Sequence, residues 1–171
     1  MKKVMLLGCM VFLGIFVSSA HDEARSAEES IIKDYTFTWH VARTMIGGTT
    51  VEIQKTPEAL VVIFGRTGIP LCALTISPVQ ANAVGIMLKK TNDYYEEQKK
   101  SEDMTSSNSL NANNCVVTFS SKQGRNFEVR VKQDGSFGPV VLMEREEAIE
   151  AGKYLRQTEQ MASFADKRIR P

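Results

Sequence analysis

Few side chains in this sequence have the chemistry of a reactive or ligating group. It has two histidines, His21 and His40, and three cysteines, Cys9, Cys72 and Cys115. Its most conspicuous cations, Arg66, Arg125, Arg130 and Lys132, fall in turn-like or strand-like stretches. So few imidazoles remove most acid–base and nucleophilic schemes. No HExxH, GxSxG or GxxxxGKS/T pattern occurs, and Gly65-Arg66-Thr67-Gly68 lacks the strand-to-helix setting that a phosphate loop needs. No catalytic residue is expected, and no motif implies a cofactor.

Three weaker chemistries remain. If the chain is cleaved after Ala20, His21 becomes the N-terminal residue; its amine and ring, with the imidazole of His40, would then supply the nitrogen ligation that Cu(II) favours. The plainer reading makes His40 a solvent-facing strand residue between Trp39 and Val41. Cys72 and Cys115 form an even pair in the cleaved chain, with no CxxC spacing for redox work. In an oxidising compartment such a pair is expected to be bridged. Closing that loop would contribute ~4 kcal/mol on the chain-entropy account. The alternative is that both thiols pack as small hydrophobes. Finally, Arg130 and Lys132 occupy outward positions of a strand, with Arg125 in the turn before it and Arg66 in an earlier one. Together with Glu52, Glu58 and Asp134 near turns, they could form a recognition surface, although charges at such positions more often simply face water.

The amino terminus bears on where this happens. Lys2 and Lys3 precede an apolar run from Val4 to Val17, and Ser18-Ser19-Ala20 puts small residues where a signal peptidase reads them. The run is short for about 30 Å of hydrocarbon, so residues 1–20 read as a cleaved secretory signal. Leu6-Leu7-Gly8-Cys9 offers a lipobox as the alternative, and an uncleaved anchor is the third reading. A membrane association is expected only in those two cases. Removing residues 1–20 takes two lysines and no acid, leaving 19 basic against 20 acidic residues. That balance disfavours an electrostatically driven nucleic-acid or membrane-surface binder.

The elements that must position these groups follow from periodicity. Residues 21–34 are a polar lead. Tyr35, Phe37, Trp39 and Val41 alternate with polar residues as a half-buried strand. Gly47-Gly48 turns it into Thr49–Gln54, Leu60–Phe64 forms a third strand, and Leu71–Ile76 a fourth. Ser77-Pro78-Val79-Gln80 is a capping box opening a helix that is predicted to run to about Lys100. The Ser- and Asn-rich residues 101–114 read as a linker. Strands from Cys115, Phe127 and Pro139 then lead to a second helix with Glu144, Glu146 and Glu147 in its first turn.

Sliding the second helix back 67 positions sets Ala148 on Ala81, Gly152 on Gly85, Leu155 on Leu88 and Thr158 on Thr91. Those matches predict two copies of a strands-then-helix unit, residues 35–100 and 115–171, within one globular domain. Convergence of two amphipathic helices is the alternative. The expected class is α+β, a mostly antiparallel sheet with two amphipathic helices.

In topology alone, repeated strands closed by a helix resemble single-stranded nucleic-acid binders of the PurA and PC4 types. No motif of those families is matched, so no residue is carried over. The expected function is that of an exported, periplasmic or secreted, non-enzymatic module that binds a protein partner or itself as a homodimer. The alternatives are a secreted metalloprotein using His21 and His40, and the single-strand binder.

Overall fold

Gly47 opens the first hairpin because the turn needs φ of 56°, a left-handed conformation that costs glycine little. The turn joins β1 (Trp39–Ile46) to β2 (Thr49–Lys55), and β3 (Leu60–Arg66) and β4 (Ala73–Ile76) complete an antiparallel sheet in the order β1-β2-β3-β4. These elements come from a computed structural model, which describes residues 38–67, 72–101, 105–135 and 138–169. The signal-like segment, the polar lead with His21, and Tyr35 and Phe37 lie outside the described residues. Val51 pairs with Phe64 and Phe64 with Leu74, so one face of the sheet carries a row of apolar side chains into the core. An extra residue between His40 and Ala42 bulges β1 and turns Ala42, Thr44 and Ile46 to that face.

The second sheet repeats the first: β5 (Thr105–Ala112), β6 (Cys115–Lys122), β7 (Arg125–Gln133) and β8 (Val140–Met143), again antiparallel and in chain order. β5 occupies the stretch predicted to be a linker. Its register with β6 is continuous from Thr105↔Lys122 to Ala112↔Cys115, and exposed residues alternate with less exposed ones along it. The alternation escaped a hydrophobicity reading because Ser106 and Asn108 stand where apolar residues would mark a strand. Asn113 and Asn114, with φ of 45° and 66°, make the turn that the two glycines make in the first half.

Each sheet is followed by two short helices rather than one long one. Ser77 caps α1 (Pro78–Leu88), with Gln80 closing the capping box as the sequence predicts, and α2 is Thr91–Gln98. The second pair is α3 (Arg145–Leu155) and α4 (Thr158–Arg168). The breaks share one cause. The Thr91 hydroxyl donates to the Leu88 carbonyl at 2.6 Å and that of Thr158 to Leu155 at 2.7 Å, side chains taking acceptors at the ends of α1 and α3. The apolar stripe runs on across both breaks, which is why periodicity reads through them.

Both helix pairs and their preceding strands start 67 positions apart, as Pro78 and Arg145, Thr91 and Thr158, and Ala73 and Val140 show. The strands-then-helix unit therefore occurs twice. Each copy's helices lean on the other copy's sheet: α2 packs on β6, and α4 on β2 and β3. At the centre α1 crosses α3, and Gly85 and Gly152 let the backbones approach, since a Cβ on Gly85 would stand 2.8 Å from the Arg156 nitrogen. Phe64, Leu74, Leu88, Phe119, Val131 and Leu155 are fully buried around this crossing. Burying a side chain of that size contributes roughly 1.5–3 kcal/mol. Thr38–Pro171 is one compact body.

Candidate functional site

β8 lies against β3 and β4, so the fourth strand of each sheet faces the interior junction, while β1 and β5 are the outer edges. An outer edge presents a row of backbone donors and acceptors and is normally guarded by charge, proline or a bulge. β1 has such guards: its bulge, His40 and Arg43. β5 has none. Over eight residues, TSSNSLNA, it carries no charge, proline or glycine, and its pairing with β6 shows no irregularity.

Behind that edge the outer face of the second sheet is read directly from the register. Ser109, Thr118, Arg130 and Leu142 form one row, and Asn111, Val116, Lys132 and Val140 the next. Hydroxyls dominate near the edge, with Ser109 and Thr118 bonded at 2.9 Å. Arg130 and Lys132 are outward and exposed, as predicted, but Arg130 pairs with Glu128 two residues away. Arg125 is exposed at the far end of β7. The structure thus gathers Arg130 and Lys132 on one face, with Arg125 at its end, and holds Arg66 beyond them at β8, on the Leu142 carbonyl.

Arg66 is a junction residue. Its Nη1 donates to the Leu142 carbonyl at 2.7 Å and to Glu147 Oε2 at 3.3 Å, tying the end of β3 to β8 and to α3. Glu147 also accepts from the Gly48 amide at 2.7 Å and from the Glu144 amide at 3.1 Å. One carboxylate therefore closes the first hairpin, caps a helix and holds an arginine across the two halves. Nothing in the linear sequence marks Glu147 for this beyond its place three residues after the helix cap. Arg66 also lines a cleft of about 520 Å³ with Tyr95, Phe127, Glu128, Leu142 and Arg145. Arg145 stacks 4.0 Å above the Tyr95 ring, which meets Phe127 edge-on at 5.4 Å. Glu144 and Glu146 line the same cleft, so its cations are offset by acids.

His40 is on the outer face of β1, where its Nδ1 bonds the Glu52 carboxylate. Glu52 lies in β2, the strand expected over Thr49–Gln54, but is buried rather than on a recognition surface, accepting also from Gln54 Nε2 at 2.9 Å, with Arg43 3.8 Å away. Burial pushes its carboxyl up, but the bonds from Gln54 and His40 and the charges of His40 and Arg43 together outweigh that and hold it below the ordinary value. His21 lies outside the described residues. Among the described residues no three His, Cys, Asp or Glu side chains converge as a metal site.

Cys72 and Cys115 stand as two separate thiols, the arrangement that the packed-hydrophobe alternative describes. Cys115 starts β6, paired on both sides in the second sheet and buried in the core, while Cys72 precedes β4 in the first. Burial pushes the Cys115 thiol up, which suits a small core hydrophobe.

No protein-family model and no curated protein matches the chain. Among solved structures it is similar to a chain of "Crystal structures of trypanosoma bruciei MRP1/MRP2", with a TM-score of 0.31 and 15% identity over 86% of this chain and 96% of that one. A likeness at that distance says nothing of activity or partner.

Proposed function

We infer that this is an exported, non-enzymatic module that works by self-association, two copies pairing through β5. The observation that carries the reading is the unguarded edge: eight uncharged, unbulged residues beside a face rich in hydroxyls. Antiparallel pairing of β5 with its copy about a two-fold axis would continue the second sheet into one of eight strands, with the same patch used on both sides. The composition of the edge supports a copy as partner, because uncharged Ser and Asn side chains meet their own kind without repulsion. Single-stranded nucleic acid is the weaker reading, since Arg130 is paired with Glu128 and the aromatic cleft carries Glu144 and Glu146.

Native mass spectrometry and light scattering on the exported protein test it. A dimer is expected for the natural chain and a monomer for Ser107→Lys combined with Ser109→Lys, which sets lysines of the two copies against each other at the edge. Both side chains are exposed, so the fold should survive by circular dichroism. A natural chain that stays monomeric at high micromolar concentration, or a double variant that still dimerises, would sink the proposal.

A further inference from the structure

One copy of the repeat can be read against the other side chain by side chain. Tyr154 and Met161 stand 67 positions after Met87 and Tyr94. In the first sheet Thr44 pairs with Val51 and Ala42 with Ile53, where the second sheet pairs Leu110 with Val117 and Asn108 with Phe119. In the second copy the Tyr94 ring is stacked on the Phe119 ring, centroids 4.7 Å apart, and Leu110 packs against the same core. The first copy has Met161, Ile53 and Thr44 at those three places, all smaller or thinner. Of the side chains that face this space only Tyr154 exceeds its counterpart, and it is 38% exposed, a wall rather than a plug.

Where the second copy is filled, the first holds a cavity of about 320 Å³, with a floor of Val51 and Ile53 and walls of Ala42, Thr44, Tyr154 and Met161. That volume sits at the lower end of small-molecule sites, about 300–1,000 Å³. The polar groups beside it are neutral: the Thr44 and Tyr154 hydroxyls, the Gln157 amide, and the Thr158 hydroxyl, which is committed to the Pro78 and Leu155 carbonyls. Arg43 is directed to the opposite face of the sheet, where it pairs in register with Glu52 and its Nε is 3.8 Å from that carboxylate. A charged ligand would therefore lose its hydration and meet no counter-ion in exchange. An apolar space of this kind stays dry and takes up an apolar ring when one is offered.

We propose that this cavity binds a small uncharged aromatic molecule, its ring lying where the Tyr94 ring lies in the other copy. The second copy selects the planar ring, since a tyrosine ring fills the matching space. The neutral lining selects against charge, and a single hydroxyl on the ring has the Thr44 and Tyr154 hydroxyls and the Gln157 amide to meet. This site goes beyond the edge-pairing proposal and is independent of it, as none of its lining residues belongs to β5.

The test is calorimetric titration of the full chain with p-cresol, which is the tyrosine side chain as a free molecule and is un-ionised at neutral pH because a phenol titrates near about 10. Saturable one-to-one binding is expected. The charged analogue 4-methylbenzoate should bind about tenfold or more weaker, and the non-planar 4-methylcyclohexanol about threefold or more weaker. Ile53→Phe combined with Met161→Tyr rebuilds the filling of the other copy and is expected to abolish binding while the circular dichroism spectrum is retained. Should that pair fail to fold, Thr44→Leu, on a half-buried position of an edge strand, places the counterpart of Leu110 in the cavity and is expected to weaken p-cresol binding about fivefold or more. No saturation by p-cresol at millimolar concentration, equal affinity for 4-methylbenzoate or 4-methylcyclohexanol, or undiminished binding by either folded variant would overturn the proposal.

Discussion

At the scale of single residues, the side chains with the most reactive chemistry turn out to be engaged in structure. Glu52 is the clearest. Its carboxyl is held below the ordinary value in the folded state, so the folded state binds a proton there less readily than the unfolded chain. The stabilisation is present above the unfolded pKa of about 4.3 and is lost as pH falls through the lower folded value. Glu52→Gln should therefore flatten the acid limb of stability, measured by urea midpoints between pH 5 and pH 2.5, and leave the response above pH 6 unchanged. An equally steep acid limb in the variant would show that other carboxylates carry it. The two described cysteines give a second test. Cys72 is half-buried and Cys115 is buried with a raised thiol pKa, so iodoacetamide should label Cys72 in the native protein and Cys115 only in denaturant, read by peptide mass spectrometry. Equal labelling under native conditions, or none in denaturant without reductant, would contradict the placement of these thiols.

Among the elements, the helix crossing is the most sharply determined. A methyl group on Gly85 would stand 2.8 Å from the Arg156 nitrogen and 3.0 Å from the Gly152 carbonyl, both backbone atoms. Gly85→Ala gains about 1 kcal/mol in helix propensity. It should still be net destabilising, because overpacking against backbone that cannot yield costs roughly 1–3 kcal/mol, with local strain toward the upper end. Thermal melts should show a lower midpoint, and a midpoint that rose would mean the helices part without cost. The sequence made this region legible. The capping box at Ser77, the hairpin at Gly47-Gly48 and the 67-residue spacing of small residues are local signals, and each corresponds to a physical requirement that one or two residues meet. β5 was hidden because a strand written in serine and asparagine has no hydrophobic period. Carrying the helix spacing back from β1 would have placed a strand over it. Likewise the breaks at Thr91 and Thr158 depend on a hydroxyl reaching a carbonyl, which leaves no trace in hydropathy. The role of Glu147 could not be read at all, since its partners Gly48 and Arg66 are 99 and 81 residues away.

For the whole molecule, the governing fact is that the two copies exchange their helices. Each sheet borrows part of its cover: α4 packs on the first sheet and α2 on the second, while α1 and α3 also touch their own sheets at β3 and β7. Residues 38–101 expressed alone should remain unfolded by circular dichroism, as should 105–169, and mixing the two should restore structure; a cooperative melt from either piece alone would refute the interlocked arrangement. Urea unfolding of the full chain should be a single transition for the same reason. The exchange also has a kinetic side. Contacts between the halves span a large part of the chain, and such non-local pairing delays folding until loop closure is complete. While the ribosome is still making α4, the sheet that needs it stays uncovered and the polypeptide stays threadable. If the chain is exported as proposed above, the order of its elements acts as a timer, deferring the locked state until translocation no longer requires an open chain.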